Sequence, residues 1–212
     1  MKKLFIVLIG VIAFARYGYA QATEGNAEFD KVERPAVIGE FTYTTDVVQE
    51  GVIADLKEKG IKKYDNKKGY MIFEEIIFPQ ITGNKINLYV KVEEKKKEKD
   101  KTILTFLVSY GYDNFISSAM DANIINNTKA YMNGLSPKFA ETKLGKDIEA
   151  QQKVFEKAQK EYENLVSDGE SLSKKKTELE ADIEKNKQAQ ANQKTVMEKE
   201  KANLESLQKQ KK

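Results

Sequence analysis

Catalysis usually runs through histidine, cysteine or a carboxylate held near apolar groups, and this chain of 212 residues has neither histidine nor cysteine. Imidazole acid/base work, thiol nucleophiles and zinc sites of the usual ligand sets are therefore excluded. The remaining acid/base candidate is Glu74-Glu75, a carboxylate pair inside the otherwise apolar run from Tyr70 to Phe78. Successive strand residues point to opposite faces, so the pair is expected to divide, one carboxylate toward water and one at a sheet edge. No catalytic residue is assigned and no enzymatic activity is expected.

Two other clusters have the residue types for binding. Asp113, Asn114, Asp121, Asn123, Asn126 and Asn127 make an oxygen-rich stretch. They lack the Asp-x-Asp-x-Asp-Gly spacing and terminal glutamate of a calcium loop, so caps and exposed polar positions are expected there, and no metal site. Lys62, Lys63, Tyr64, Lys67 and Lys68, with Tyr70 just beyond, interleave cations and aromatic rings. That composition suits an anionic glycan or lipid head group; the competing reading is a lysine-rich turn leading into a strand. There is no glycine-rich phosphate loop or nucleophile elbow, and no cofactor is expected.

The third candidate is a long helical seam. Ser136-Pro137 pairs a capping hydroxyl with proline at a first helical position, and no further proline follows to Lys212. One helix over 136–212 would reach roughly 110 Å at about 1.5 Å per residue. A heptad runs through it, with Ile148, Phe155, Tyr162, Gly169, Lys176, Ile183, Gln190, Met197 and Leu204 on one seam position. Gln151, Ala158, Leu165, Leu172, Leu179, Asn186, Gln193, Glu200 and Leu207 take the other. Ile148, Phe155, Tyr162, Leu165, Leu172, Leu179 and Ile183 are the expected association residues, binding a second copy or a partner helix. Beyond Ile183 the seam turns polar. Gly169 marks either a tolerated weak point in one helix or the bend of a helical hairpin.

These candidates need a scaffold. Ala36 to Thr44 is rich in β-branched and aromatic residues and reads as a strand; Thr45-Asp46, with Gln49 three residues on, reads as a helix N-cap. Val48, Val52 and Leu56 then recur at helical spacing up to Gly60. Tyr70 to Phe78, Ile86 to Glu93 and Thr102 to Tyr110 read as strands. In the second of these Ile86, Leu88, Val90 and Val92 alternate with outward Asn87, Tyr89, Lys91 and Glu93. The charged run Glu93 to Lys101 is expected to be an exposed hairpin connection, and Ser117 to Met132 a second helix. The fold class is therefore α+β: a small antiparallel sheet of about four strands with one solvated face, two helices, and a long C-terminal helix or coiled coil. The expected division is a signal peptide at 1–20, a linker at 21–35, the α+β domain at 36–134 and the helical arm at 136–212.

Export is the reading of the N-terminus. Lys2 and Lys3 precede an apolar stretch from Leu4 to Ala15 that spans only about 18 Å of helix, and Arg16 closes it. A membrane span needs roughly 20 apolar residues, so a cleavable signal is expected, with cleavage after Ala20 or Ala22. The chain has 36 basic and 33 acidic residues; loss of Lys2, Lys3 and Arg16 leaves 33 against 33. A neutral exported chain without cysteine has no basic excess for nucleic acid or anionic membranes and no thiol for a lipid anchor. A periplasmic or extracellular protein, without lipid or transmembrane segment, is expected.

The lysine-led signal, the small α+β domain and the run Glu178-Leu179-Glu180-Ala181-Asp182-Ile183-Glu184-Lys185-Asn186 resemble, in layout, uncharacterised exported proteins of Bacteroidota-type bacteria. That resemblance implies an envelope location and no particular activity. The layout is also similar to periplasmic holdase chaperones of the Skp/OmpH type, which join a small β body to long helical arms. Here the strands all precede the helix and the charge is neutral, where those chaperones are strongly basic. The leading expectation is a non-enzymatic envelope protein that assembles through its helix. A holdase, or a glycan- or small-ligand-binding module with a helical spacer, is the alternative.

Overall fold

The computed structural model describes residues 21–210, apart from Tyr112 and the side chains of Lys99 and Gln210. The expected signal segment, 1–20, lies outside the described residues. Two compact units divide the chain, Met1–Ile148 and Glu149–Lys212.

The first unit is α+β. Its strands are β1 (Thr23–Phe29), β2 (Val32–Phe41), β3 (Asp65–Lys67), β4 (Tyr70–Phe78), β5 (Thr82–Lys95) and β6 (Glu98–Ser109). The helices are α1 (Thr45–Glu58), α2 (Ser118–Asn133) and the beginning of α3 (Ser136–Gln210). All strand pairs are antiparallel, in the order β1-β2-β6-β5-β4-β3. The sheet therefore has six strands, where about four were expected.

The two extra strands carry little hydrophobic signal. Residues 21–35, expected to be linker, hold β1 and the first residues of β2, which meet across the two-residue turn Asp30-Lys31. Both turn residues have positive φ, 54° and 65°, the backbone of a type I′ hairpin whose twist matches the strands it joins. Without Asn-Gly or Asp-Gly this turn leaves no sequence signature. Two side chains tie the segment down: Ala22 N–H donates to Asn133 Oδ1 at 2.8 Å, and Ser118 N–H donates to Glu24 Oε1 at 2.8 Å. The Ser118 bond comes first among the causes that hold the Glu24 carboxyl below its usual range. Pro35 is tolerated because β2 meets β6 only over Val37–Phe41.

The charged stretch after Glu93 is the expected hairpin connection, with its two strands carried almost to the turn. It extends β5 and β6 to a turn at Lys96-Lys97, and its charges pair. Lys95 reaches Glu40 and Glu98, each at 2.9 Å; Lys101 reaches Glu98 at 2.5 Å and Glu40 at 3.5 Å.

Alternation along the strands separates two cores. On one face Val37, Phe73, Ile86, Leu88, Val90, Leu104 and Phe106 meet Val48, Val52 and Leu56 of α1, Ile124, Ile125 and Met132 of α2, and Leu135 and Phe139. Each large side chain buried here stabilises the fold by roughly 1.5–3 kcal/mol. The opposite face, expected to be solvated, carries a smaller cluster: Ala36, Tyr70, Ile72, Tyr89, Leu107 and Phe115, with Phe29 against it. Tyr89 is thus buried, not outward among polar neighbours.

The helix ends follow local chemistry. The cap of α1 is Thr44, without a side-chain bond to the helix backbone, in place of the expected box on Asp46 and Gln49. Asp46 instead accepts from the Thr44 hydroxyl and, at 3.0 Å, pairs with Lys146 of α3; with the Thr44 bond as the larger cause, its carboxyl is pulled down to about 2. At the other end Gly60 takes φ 86°, its N–H bonds Lys57 O, and Ile61 N–H bonds Leu56 O. Those two bonds are a Schellman motif, which only a residue free to be left-handed closes without strain. In α2, Asp121 is extended (φ −152°, ψ 94°), and its carboxylate accepts from Asn123 N–H at 3.1 Å and Ile124 N–H at 3.2 Å. It caps the main part of the helix. Asp121→Ala is expected to cost about 1 kcal/mol in chemical denaturation of the full chain, with Asp121→Asn keeping most of that stability.

Pro137 lies in the first turn of α3, where a missing N–H costs nothing. The compact unit extends past the expected boundary near 134–136 to Ile148, because Phe139 is fully buried and Lys146 also holds Glu50, at 2.7 Å.

The second unit, taken by itself, is the remainder of α3. The helix continues through Gly169, so of the two readings of that glycine the weak point tolerated in one helix holds and the hairpin bend does not. Every residue from 149 to 209 is exposed. Among the described residues no helix is long and apolar enough to cross a membrane.

Candidate functional site

The residues expected to carry association are all on α3 and all exposed. Ile148, Phe155, Tyr162, Leu165, Leu172, Leu179 and Ile183 range from 56% exposed at Ile183 to 69% at Tyr162. A helix with this charge content can hold itself with i,i+4 pairs, and Lys153–Glu149 at 2.8 Å and Lys176–Glu180 at 3.7 Å are such pairs. Exposed pairs of this kind are worth only a few tenths of a kcal/mol each, and they do nothing for a row of apolar side chains left in water.

The lysine-tyrosine cluster is not a single patch. Lys62 and Lys63 border a shallow depression of about 470 Å³ with Ile76 and Ile77. Tyr64 turns toward the core, its ring 5.2 Å from that of Phe73. Lys67 lines a different cleft, and Lys68, left-handed in the β3–β4 turn, pairs with Asp30 of the β1–β2 turn. A tight turn separates these close sequence neighbours into different surroundings.

The cleft beside Lys67 has about 570 Å³ of space on the second face of the sheet. Its apolar wall is Phe29, Ile72 and Tyr89, with Phe29 and Tyr89 packed edge-on at 4.9 Å. Around it stand Lys67, Lys85, Glu74, Glu75, Asn87, Tyr110 and Asp113. Two of these charges are answered nearby: Lys85 reaches Glu75 at 3.5 Å, and Asp113 accepts from Arg34 at 2.7 Å. Arg34 in turn lies over the Phe115 ring, 4.9 Å from its centre.

Glu74 and Glu75 were expected to part to opposite faces, and they do not. Between Phe73↔Leu88 and Ile76↔Ile86 the register of β4 slips by one, so both glutamates stand against Asn87 alone. Asn87 Oδ1 accepts from Glu75 N–H at 2.8 Å. This is a β-bulge, which suspends the alternation for one residue and lets both carboxylates line the same cleft. Glu75 takes φ 50°, a left-handed backbone that costs a residue with a Cβ about 1–2 kcal/mol. Glycine gives back about 0.5–1 kcal/mol of that through its looser unfolded chain. Glu75→Gly is accordingly expected to raise stability by about 0.5–1 kcal/mol, read as a higher denaturant midpoint at unchanged slope.

The oxygen-rich stretch is absorbed by structure. Asp113 is engaged by Arg34, Asp121 caps α2, and Asn127 Nδ2 donates to Ile81 O at 3.0 Å. Among the described residues no group of three or more acidic side chains is placed to hold a metal ion.

No family model, curated protein or solved structure matches the chain. What the fold defines is a class: an antiparallel α+β body from which a long, solvent-exposed amphipathic helix continues.

Proposed function

We propose that this is a non-enzymatic, exported envelope protein that assembles through α3. One observation carries the reading: seven large apolar side chains, at heptad positions from Ile148 to Ile183, are all more than half exposed. Such a stripe is stable in water only when another surface covers it, and a 3.5-residue repeat asks for a helix with the same repeat. The test is light scattering on the full chain beside a chain ending at Ile148, where the compact unit closes. The full chain is expected to be oligomeric and the short one monomeric. Two monomers at the highest soluble concentration would remove the assembly reading.

The cleft on the second face supports a different role, recognition of a small neutral glycan. Its charges are nearly balanced, since Lys67 and Lys85 face Glu74 and Glu75 while Asp113 is held by Arg34. Phe29 and Tyr89 offer apolar wall, and the amide and carboxylates offer hydrogen bonds to hydroxyls. The rare backbone of Glu75 is held at the cleft, where strain of this kind tends to collect. Calorimetric titration with an N-acetylglucosamine oligosaccharide is expected to give saturable heat that Glu74→Gln weakens; absence of heat in the unsubstituted chain refutes this role.

A further inference from the structure

We infer that the surface along α3 takes a second copy of this chain, and that the two helices pair as a parallel, in-register, two-stranded coiled coil. This rests on the assembly reading above and goes beyond it to partner, direction and register.

The seam is segregated. Between Ile148 and Ile183 it is apolar apart from Gln151, Gly169 and Lys176, whereas beyond Ile183 the polar Asn186, Gln190, Gln193 and Glu200 outnumber Met197, Leu204 and Leu207. In a parallel in-register pair each seam residue faces its own copy, so Leu172 and Leu179 face leucines and Asn186 faces asparagine. An antiparallel pair with full overlap does the opposite: Leu165, Tyr162 and Phe155 would face Gln190, Gln193 and Glu200. That arrangement buries each amide or carboxylate against an apolar surface with no hydrogen-bond partner. Sliding the antiparallel pair to match the apolar halves leaves the polar half without a partner and brings like charges together, as Asp168 against Asp168 or Glu161 against Asp168.

The flanking charges agree. In a parallel pair the residue before each first seam position meets the residue five further on in the other copy. Those pairs place Lys175 opposite Glu180 and Asp182 opposite Lys187, each occurring twice by symmetry, and none of the flanking pairs brings like charges together, so that like charges meet only on the seam, at Lys176 and Glu200. Lys176 is the one cation on the seam; its ammonium leans 3.7 Å from Glu180 of its own helix, which draws the charge to the flank. A seam lysine and a seam asparagine also disfavour bundles of three or four, where such positions are more deeply enclosed.

The chain has no cysteine, so single cysteines report direction without background. Leu172→Cys and Leu179→Cys, each in the full chain expressed from Met1, are expected to shift to a covalent dimer under mild oxidation. Lys174→Cys, on the outer side of the helix, should stay monomeric on a reducing-agent-free gel. Parallel in-register seam positions lie within the Cα separation a disulfide needs, whereas antiparallel pairs never bring position 172 or 179 against itself. Lys175→Glu should weaken the dimer, and Lys175→Glu with Glu180→Lys should recover it. If light scattering gives a dimer that neither cysteine cross-links, direction and register are overturned while assembly stands. A trimer or larger species overturns the two-stranded pairing; a monomer overturns both readings together.

Discussion

Replacing Phe139 with alanine is expected to lower the unfolding free energy by about 3–5 kcal/mol, the range for a large aromatic side chain removed from a close-packed site. Phe139 is completely buried, its ring perpendicular to Phe41 at 4.9 Å and 6.0 Å from Tyr43. It fills the space beside Gly51 of α1: a Cβ built on that glycine would fall 2.6 Å from Phe139 Cδ1. Gly51 is thus small because Phe139 is large, and the two positions must couple. Gly51→Ala alone should destabilise through overpacking. In the Phe139→Ala background the same change should stabilise, because the clash is gone and alanine is about 1 kcal/mol better than glycine inside a helix. Denaturant unfolding of the four chains, followed by near-ultraviolet tyrosine dichroism, measures the cycle. Additive effects would mean that the helix start is not seated on α1 as described.

Tyr131→Phe is expected to cost about 1–3 kcal/mol at neutral pH, the penalty for leaving a buried acceptor short of a donor. The Tyr131 hydroxyl donates to Asp55 Oδ2 at 2.7 Å, and Lys59 donates to Oδ1 of the same carboxylate at 2.6 Å. The ring contacts with Phe78 at 4.7 Å and Phe106 at 5.9 Å survive the change, so the loss reports the hydroxyl. The pair also predicts a pH response. Burial, and then the hydrogen bond to Asp55, push the Tyr131 phenol far above its ordinary value. Tyr70 is pushed up to about 12 by burial and then by Glu93, Glu33 and Glu28. A phenol raised in the folded state contributes stability that is intact below about pH 10, where the unfolded tyrosine is still protonated, and is lost as the pH rises beyond it. The full chain should therefore lose stability steeply in alkali, and Tyr131→Phe should flatten that slope while Tyr70 keeps part of it. An unchanged slope would show that Tyr131 is not shielded in the folded state.

The parts of this fold that were legible are those whose apolar residues face one way. Val48, Val52 and Leu56 mark α1 because they pack on one sheet face, and Ile86, Leu88 and Val90 mark β5 for the same reason. Strand β1 was hidden because an edge strand can be polar and still be held by backbone bonds to a neighbour. Tyr89 was misread because its neighbours Asn87 and Lys91 are polar; the signal for its burial lay in other strands, in Tyr70, Leu107 and Phe115, which the topology gathers around it. The cleft was illegible for a related reason: a bulge at Glu74-Glu75 changes which way side chains point without any change in composition. The length of α3, by contrast, was readable from its period and its lack of proline after Pro137, since both are properties of one segment.

That same bulge bears on how molecules of this protein avoid one another. Strand β3 covers β4 only from Tyr70 to Ile72, so beyond that point no strand among the described residues pairs with the outer edge of β4, next to Ile76-Ile77-Phe78. An open edge beside a β-prone apolar run is a template for sheet-to-sheet aggregation. The kink and the two carboxylates stand where a second sheet would have to dock, and a twisted, charged edge is a poor template. The left-handed glutamate that weakens the fold thus stands in a kink that makes this edge a poorer template for pairing.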